Sequence, residues 1–193
     1  MTVYVGVNGV AEKVKRIYVG ENGENKRITK VYAGVNGVAR MVYGVTLTLV
    51  SIPTMTDNIT PSGNAVSSNN ISTAWKAFDK NGDTRWLSRL YGDDPNRWIY
   101  YDFGYEIQPI KGYVKNSATH SNAYAFVIAG SKDAVAWTDL YEYSTWNKAF
   151  DAEFQINTSE EFRYFRYLTP KKSNTYQSGV YEFNIWGYKE EII

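Results

Sequence analysis

Tyr4, Tyr18 and Tyr32 open three copies of one pattern: Val3-Tyr4-Val5-Gly6-Val7-Asn8-Gly9, Ile17-Tyr18-Val19-Gly20-Glu21-Asn22-Gly23 and Val31-Tyr32-Ala33-Gly34-Val35-Asn36-Gly37. Met41-Val42-Tyr43-Gly44 begins a truncated fourth copy. An internal period constrains the fold before any other feature, because every copy must form the same local unit. In each full copy an Asn-Gly pair separates two β-prone runs, and Asn-Gly supplies the two positive φ values of a type I′ turn. The spacing therefore predicts three hairpins in series. An isolated two-stranded hairpin is marginal in water, so these units must stack on one another, on the rest of the chain or on other chains. Lys13, Lys15, Arg16, Lys26, Arg27, Lys30 and Arg40 fall between the hairpins, against Glu12, Glu21 and Glu24. That balance reads as a solvated strand face or as a docking surface for an acidic partner.

The remaining residues also favour pleated structure. Six Trp, 17 Tyr and 8 Phe accompany many Val, Ile and Thr, which suit half-buried strands better than helices. Apolar residues nowhere hold a helical period over more than two turns, and turn signals recur at short intervals, so the chain reads as all-β. A short helical turn is expected at Ser72-Thr73-Ala74-Trp75-Lys76-Ala77. With 21 basic and 20 acidic residues, no electrostatic footprint of a nucleic-acid partner is present. The absence of cysteine excludes disulfides, thiolate zinc sites and cysteine nucleophiles. The start of the chain lacks a basic segment followed by an apolar one, and no apolar run is long enough to span a membrane, so neither a signal peptide nor a membrane partner is expected.

Catalysis is not expected either. A glycoside hydrolase needs two carboxylates flanking its substrate, and the acidic pairs Asp93-Asp94 and Glu160-Glu161 read as solvated turns. The single histidine, His120, would have to serve any Ser-His-Asp arrangement, and no Gly-x-Ser-x-Gly elbow accompanies it.

Four segments carry a resemblance. They are Ala77-Phe78-Asp79-Lys80-Asn81-Gly82-Asp83-Thr84-Arg85-Trp86, Trp98-Ile99-Tyr100-Tyr101-Asp102-Phe103-Gly104, Phe162-Arg163-Tyr164-Phe165-Arg166-Tyr167 and Tyr181-Glu182-Phe183-Asn184-Ile185-Trp186-Gly187. In this order they resemble the discoidin or coagulation factor 5/8 type C family, which overlaps the galactose-binding-like carbohydrate-binding modules. The resemblance runs from Leu47 to Tyr188. It implies a jelly-roll β-sandwich over residues 46–193 that binds host-surface glycan and does no chemistry, preceded by the hairpin-repeat module at residues 1–45. It also implies that Trp98 and Phe103 lie in the core. Tyr124 to Asp133 followed by Trp137 matches the family's strand, its Ser-x-Asp turn and the tryptophan after it, although Ala134-Val135-Ala136 stands where a glycine is usual. Strand alternation places Phe162, Tyr164, Arg166 and Leu168 on one face and Arg163, Phe165 and Tyr167 on the other.

The repeat is similar to Tyr-Val-Gly-x-Asn-Gly units of tailed-phage and prophage structural proteins, and Ile52 to Gly63 resembles the entry into discoidin-like domains of the same proteins. Together these imply a phage-type virion or tail accessory protein, assembled in the host cytoplasm and located in the virion. Its residues 1–45 would meet other virion proteins and form a homo-oligomer, for which a trimer suits hairpin repeats. The competing expectation is a purely structural role in capsid decoration or tail assembly.

Two candidate sites follow. Asp79, Asp83 and Thr84 are oxygen donors in one Asn- and Gly-rich loop, suited to calcium. The resemblance implies a structural Ca2+ completed by Glu182, just before the last strand. Lys80 departs from the family's usual glycine. A metal-free loop, with Asp79 capping amides or paired with Arg85, fits the same residues. For sugar, the resemblance points to loops at one end of the sandwich: Arg89, Tyr91 and Arg97, then His120 and Asn122, with Trp146 and Tyr176 from later loops.

Overall fold

The computed structural model describes residues 4–7, 10–13, 17–21, 24–28, 30–35, 38–88, 97–116, 125–145, 149–169 and 179–192. The chain divides into two compact units, residues 1–48 with 189–193 and residues 49–188. The sequence expectation put the division at residue 45 and kept the carboxyl end with the sandwich.

The first unit contains β1 (Tyr4–Val7), β2 (Val10–Lys13), β3 (Ile17–Glu21), β4 (Glu24–Ile28), β5 (Lys30–Val35) and β6 (Val38–Ser51), the last of which continues into the second unit. β1 pairs with β2 up to Val7 opposite Val10, β3 with β4 up to Glu21 opposite Glu24, and β5 with β6 up to Val35 opposite Val38, all antiparallel. The closing pairs flank Asn8-Gly9, Asn22-Gly23 and Asn36-Gly37, so each copy of the repeat is one hairpin, as its turn chemistry requires.

The second unit contains β7 (Asn64–Ser67), a 3-10 helix (Ile71–Ala77), β8 (Trp86–Leu87), β9 (Trp98–Asn116), β10 (Phe126–Ser131), β11 (Thr138–Tyr143), β12 (Asp151–Gln155), β13 (Phe162–Leu168) and β14 (Gly179–Ile192). One antiparallel sheet runs in the order β7-β9-β13-β10-β11. The other runs β12-β9-β14-β8. Strand β9 serves both: Trp98 to Ile107 pairs with β13, and Gln108 to Asn116 pairs with β14. This change of partner along one strand is how a sandwich turns a corner without ending the chain.

Side chains from both sheets fill the core, among them Trp86, Tyr101, Phe126, Phe165, Tyr167 and Phe183, each essentially inaccessible to solvent. Each buried ring of this size contributes about 1.5–3 kcal/mol through removal from water. Phe126 stacks on Tyr167 at 5.1 Å, and Phe78 meets Tyr101 at 5.5 Å and Phe183 at 5.8 Å. Gly130 sits under Phe162, where a Cβ would come within 2.6 Å of the ring.

Two expectations about faces are corrected. Phe103 is core, but Trp98 is only partly buried, because Ile99, Tyr101 and Phe103 take the inward phase of β9 and Trp98 takes the outward one. In β13 the pairing shifts between Phe162 and Tyr164. This bulge at Arg163 returns Phe162 to the core with Phe165 and Tyr167, while Tyr164, Arg166 and Leu168 point outward. An inserted residue changes the strand's phase, which alternation alone does not reveal.

Candidate functional site

The loop after the 3-10 helix is built from its own polar side chains. Asp79 Oδ1 accepts from the Asn81 amide at 3.0 Å, and Asn81 Oδ1 accepts from the Asp83 amide at 3.1 Å. Thr84 Oγ1 donates to Asp79 Oδ2 and also approaches the Asn81 carbonyl at 3.1 Å. Lys80 occupies the family's glycine position by taking the left-handed conformation itself, with φ 55°, which costs a non-glycine residue about 1 kcal/mol. Arg85 does not pair with Asp79. Its guanidinium donates to the Tyr181 hydroxyl at 2.6 Å and lies over that ring.

Glu182 reaches this loop from within β14 rather than from before it. It is 8% exposed, and its Oε1 has no hydrogen-bond partner. Burial, followed by the Asp79 carboxylate, pushes its pKa up to about 7, against the opposing effects of the Lys80 amide and the Lys115 and Lys80 ammonium groups. Asp79, Thr84 and Glu182 are therefore brought together, whereas Asp83 is exposed and contributes to the loop through its backbone. Among the described residues no three His, Cys, Asp or Glu side chains gather as a metal cluster. A cation here would rest on two carboxylates, a hydroxyl and backbone oxygens. That donor set suits a hard, oxygen-seeking ion, and the unpartnered Glu182 oxygen is a place for one.

The turn after β10 is closed differently. Ser131 Oγ receives the amides of Asp133 and Ala134, and Asp133 Oδ1 receives those of Val135 and Ala136 at 2.8 and 2.9 Å. These amides, with the Ser131 hydroxyl, hold the Asp133 pKa below the ordinary value. Ala134 stands in for glycine at φ 61°. Its carbonyl accepts from Trp137 Nε1 at 3.2 Å, which fixes the indole.

Trp137 forms a shallow recess of about 100 Å³ with Trp98, Tyr100, Ala134 and Arg166. Trp98 and Tyr100 lie parallel, with centroids 5.5 Å apart, and the Arg166 guanidinium sits 4.1 Å from the Trp137 ring centre. Sequence reasoning assigned none of these residues to a site. The signal was present, because the aliphatic Ile99 between Trp98 and Tyr100 marks the inward phase of β9 and leaves both aromatics outward.

Of the residues expected to touch sugar, Arg97 is described and is 1% exposed. A guanidinium buried to that degree is not a surface contact, which corrects its assignment. Arg89, Tyr91, His120, Asn122, Trp146 and Tyr176 lie outside the described residues.

Residues 76–167 match the model of the NedA-like, galactose-binding domain of the F5/8 type C group. The second unit has the galactose-binding-like sandwich fold. Among solved structures, a point mutant of chitosan-binding module 1 from a Paenibacillus sp. IK-5 chitosanase/glucanase is 25% identical, covering 68% of this chain and 98% of that one, with a TM-score of 0.53. A family 32 carbohydrate-binding module of Clostridium perfringens NanJ, solved with galactose, shares the fold at 13% identity over 72% and 99% of the two chains (TM-score 0.53). A family 89 glycoside hydrolase from Clostridium perfringens shares it at 21% identity over 67% of this chain but 14% of its own (TM-score 0.54). No curated protein sequence matches. The domain thus resembles non-catalytic carbohydrate-binding modules, some of which are parts of glycoside hydrolases.

Proposed function

We propose that this protein is a non-catalytic adhesion protein whose second unit holds host-surface carbohydrate. The observation that carries this reading is the match of residues 76–167 to a galactose-binding-like model, joined to a likeness that spans 98% of a chitosan-binding module. Calorimetric titration of the full chain with chitosan oligosaccharides and with galactose tests it. Saturable heat from either sugar is expected. A folded chain that binds neither would move the sandwich to protein contacts in capsid decoration or tail assembly.

The finer reading places the protein in a phage-type virion or tail, with residues 1–45 joining it to other virion proteins as a homo-oligomer. It is supported by three hairpins repeated at a fixed spacing ahead of a binding sandwich. Such an arrangement lets weak sugar contacts act together, since multivalency raises avidity by about 10² to 10⁴. Antibody labelling of purified particles under the electron microscope tests the location, with label expected on the virion.

A structural Ca2+ belongs to the same proposal. Asp79, Thr84 and Glu182 would hold it, with Lys80 supplying the turn. The ion would add to the charge that the Lys115 and Lys80 ammonium groups already bring to Glu182, fixing the loop without taking part in any reaction.

A further inference from the structure

The outer face of the five-stranded sheet, together with the turn after β10, carries a second feature. Pairing aligns Val66 of β7, Tyr100 of β9, Arg166 of β13, Ala129 of β10 and Asp139 of β11 in one row. Residues directly opposite one another share a face. Arg166 thus stands between a tyrosine and an alanine, under the Trp137 ring. Its Nε is buried with no hydrogen-bond partner, and among the described residues the guanidinium makes no ion pair. The neighbouring acid on this face, Asp102, is already held by both arms of Arg163, at 2.7 and 2.8 Å. Asp139 is the acid whose field reaches Arg166, and it lies exposed at the edge strand.

The recess therefore offers flat aromatic surface and hydrogen-bond donors but few acceptors. Trp137 spends its N–H on Ala134, so the guanidinium and the Tyr100 hydroxyl are left to meet a ligand. A planar guanidinium held by stacking is suited to a carboxylate, and aromatic rings suit the apolar side of a sugar. The recess, at about 100 Å³, has room for one ring rather than a chain.

We propose that this recess binds a single carboxylate-bearing pyranose, its ring against Trp98 and Tyr100 and its carboxylate on Arg166. The proposal deepens the carbohydrate-binding reading and uses none of the loop residues expected to touch sugar.

Tryptophan fluorescence of the full chain, titrated with galacturonate, galactose and inorganic phosphate, tests it. Galacturonate should give a saturable change, galactose binding at least about tenfold weaker, as expected for loss of one charge-assisted contact, and phosphate none. Arg166→Gln should weaken galacturonate about tenfold and galactose by clearly less, narrowing the preference for the acid. Trp98→Ala should weaken both sugars. If Arg166→Gln fails to fold, Arg166→Lys decides, because it keeps the charge but loses the planar fork: weaker galacturonate binding is expected, and unchanged binding overturns the site. Equal binding of galactose and galacturonate, phosphate competing as well as the sugar acid, or no saturable change with galacturonate would also overturn it. Chitosan oligosaccharide binding that survives both variants would leave the adhesion reading standing while this site falls.

Discussion

The Asp79–Thr84 loop and the Ser131–Trp137 turn solve one problem in two ways. Each places a non-glycine residue in the left-handed region, Lys80 at φ 55° and Ala134 at φ 61°. Each uses an aspartate to receive backbone amides, one at Asp79 and two at Asp133. In the second turn the donors suffice, and Asp133 is held as a stable carboxylate. In the first, burial and then the neighbouring Asp79 carboxylate retain the Glu182 proton toward neutral pH, and one Glu182 oxygen has no donor. A turn complete in hydrogen bonds needs nothing further, whereas a buried carboxylate beside a second one is relieved by protonation or by a cation that joins them.

The largest expected break in this comparison is the response to calcium. At about 100 times its Kd the ion would add about 2.7 kcal/mol, raising the melting temperature by roughly 5–10 °C in a chain of this size. Differential scanning calorimetry should show this rise in the wild type and its loss in Glu182→Gln. Asp133→Asn should lower the melting temperature yet leave the rise from calcium intact. If both variants respond alike, the two turns do not differ in the way described.

Acid dependence gives a smaller effect of opposite sign at the two places. With chelator present, the folded pKa of Glu182, about 7, lies above its ordinary value of 4.5. Its contribution is therefore full below about pH 4.5 and is lost as pH rises through 7. Asp133 is depressed instead, so its contribution is present above its ordinary 3.8 and is lost as pH falls through the lower folded value. Denaturant titrations across pH should show the fall between about 4.5 and 7 flattened in Glu182→Gln and unchanged in Asp133→Asn.

The smallest effect sharpens the likeness between the two turns. Lys80→Gly and Ala134→Gly should each relieve left-handed strain, stabilising by about 1 kcal/mol at most, because added freedom in the unfolded chain offsets part of the gain. Chemical denaturation of the two variants measures it. A clear loss of stability in either would show that its side chain does more than tolerate the turn.

The hairpins were legible because Asn-Gly encodes its turn locally, and all three pairings close around it. The sandwich was legible from aromatic strands in a characteristic order. Faces were less so. The bulge at Arg163 changes the phase of β13, and no residue type announces it. Trp98 was misplaced because aromatics occupy both sides of β9, which masks the aliphatic phase set by Ile99. Arg97 looked like a loop cation but is buried, a difference that depends on tertiary packing. The recess required Trp137 and Arg166, distant in sequence, to meet through the β10 and β13 pairing.

The most direct test of the account is a glycan array probed with the full chain displayed multivalently, with and without chelator. Selective capture of carbohydrate, reduced when calcium is removed, is the expected result. A correctly folded chain that captures no glycan under either condition would contradict it.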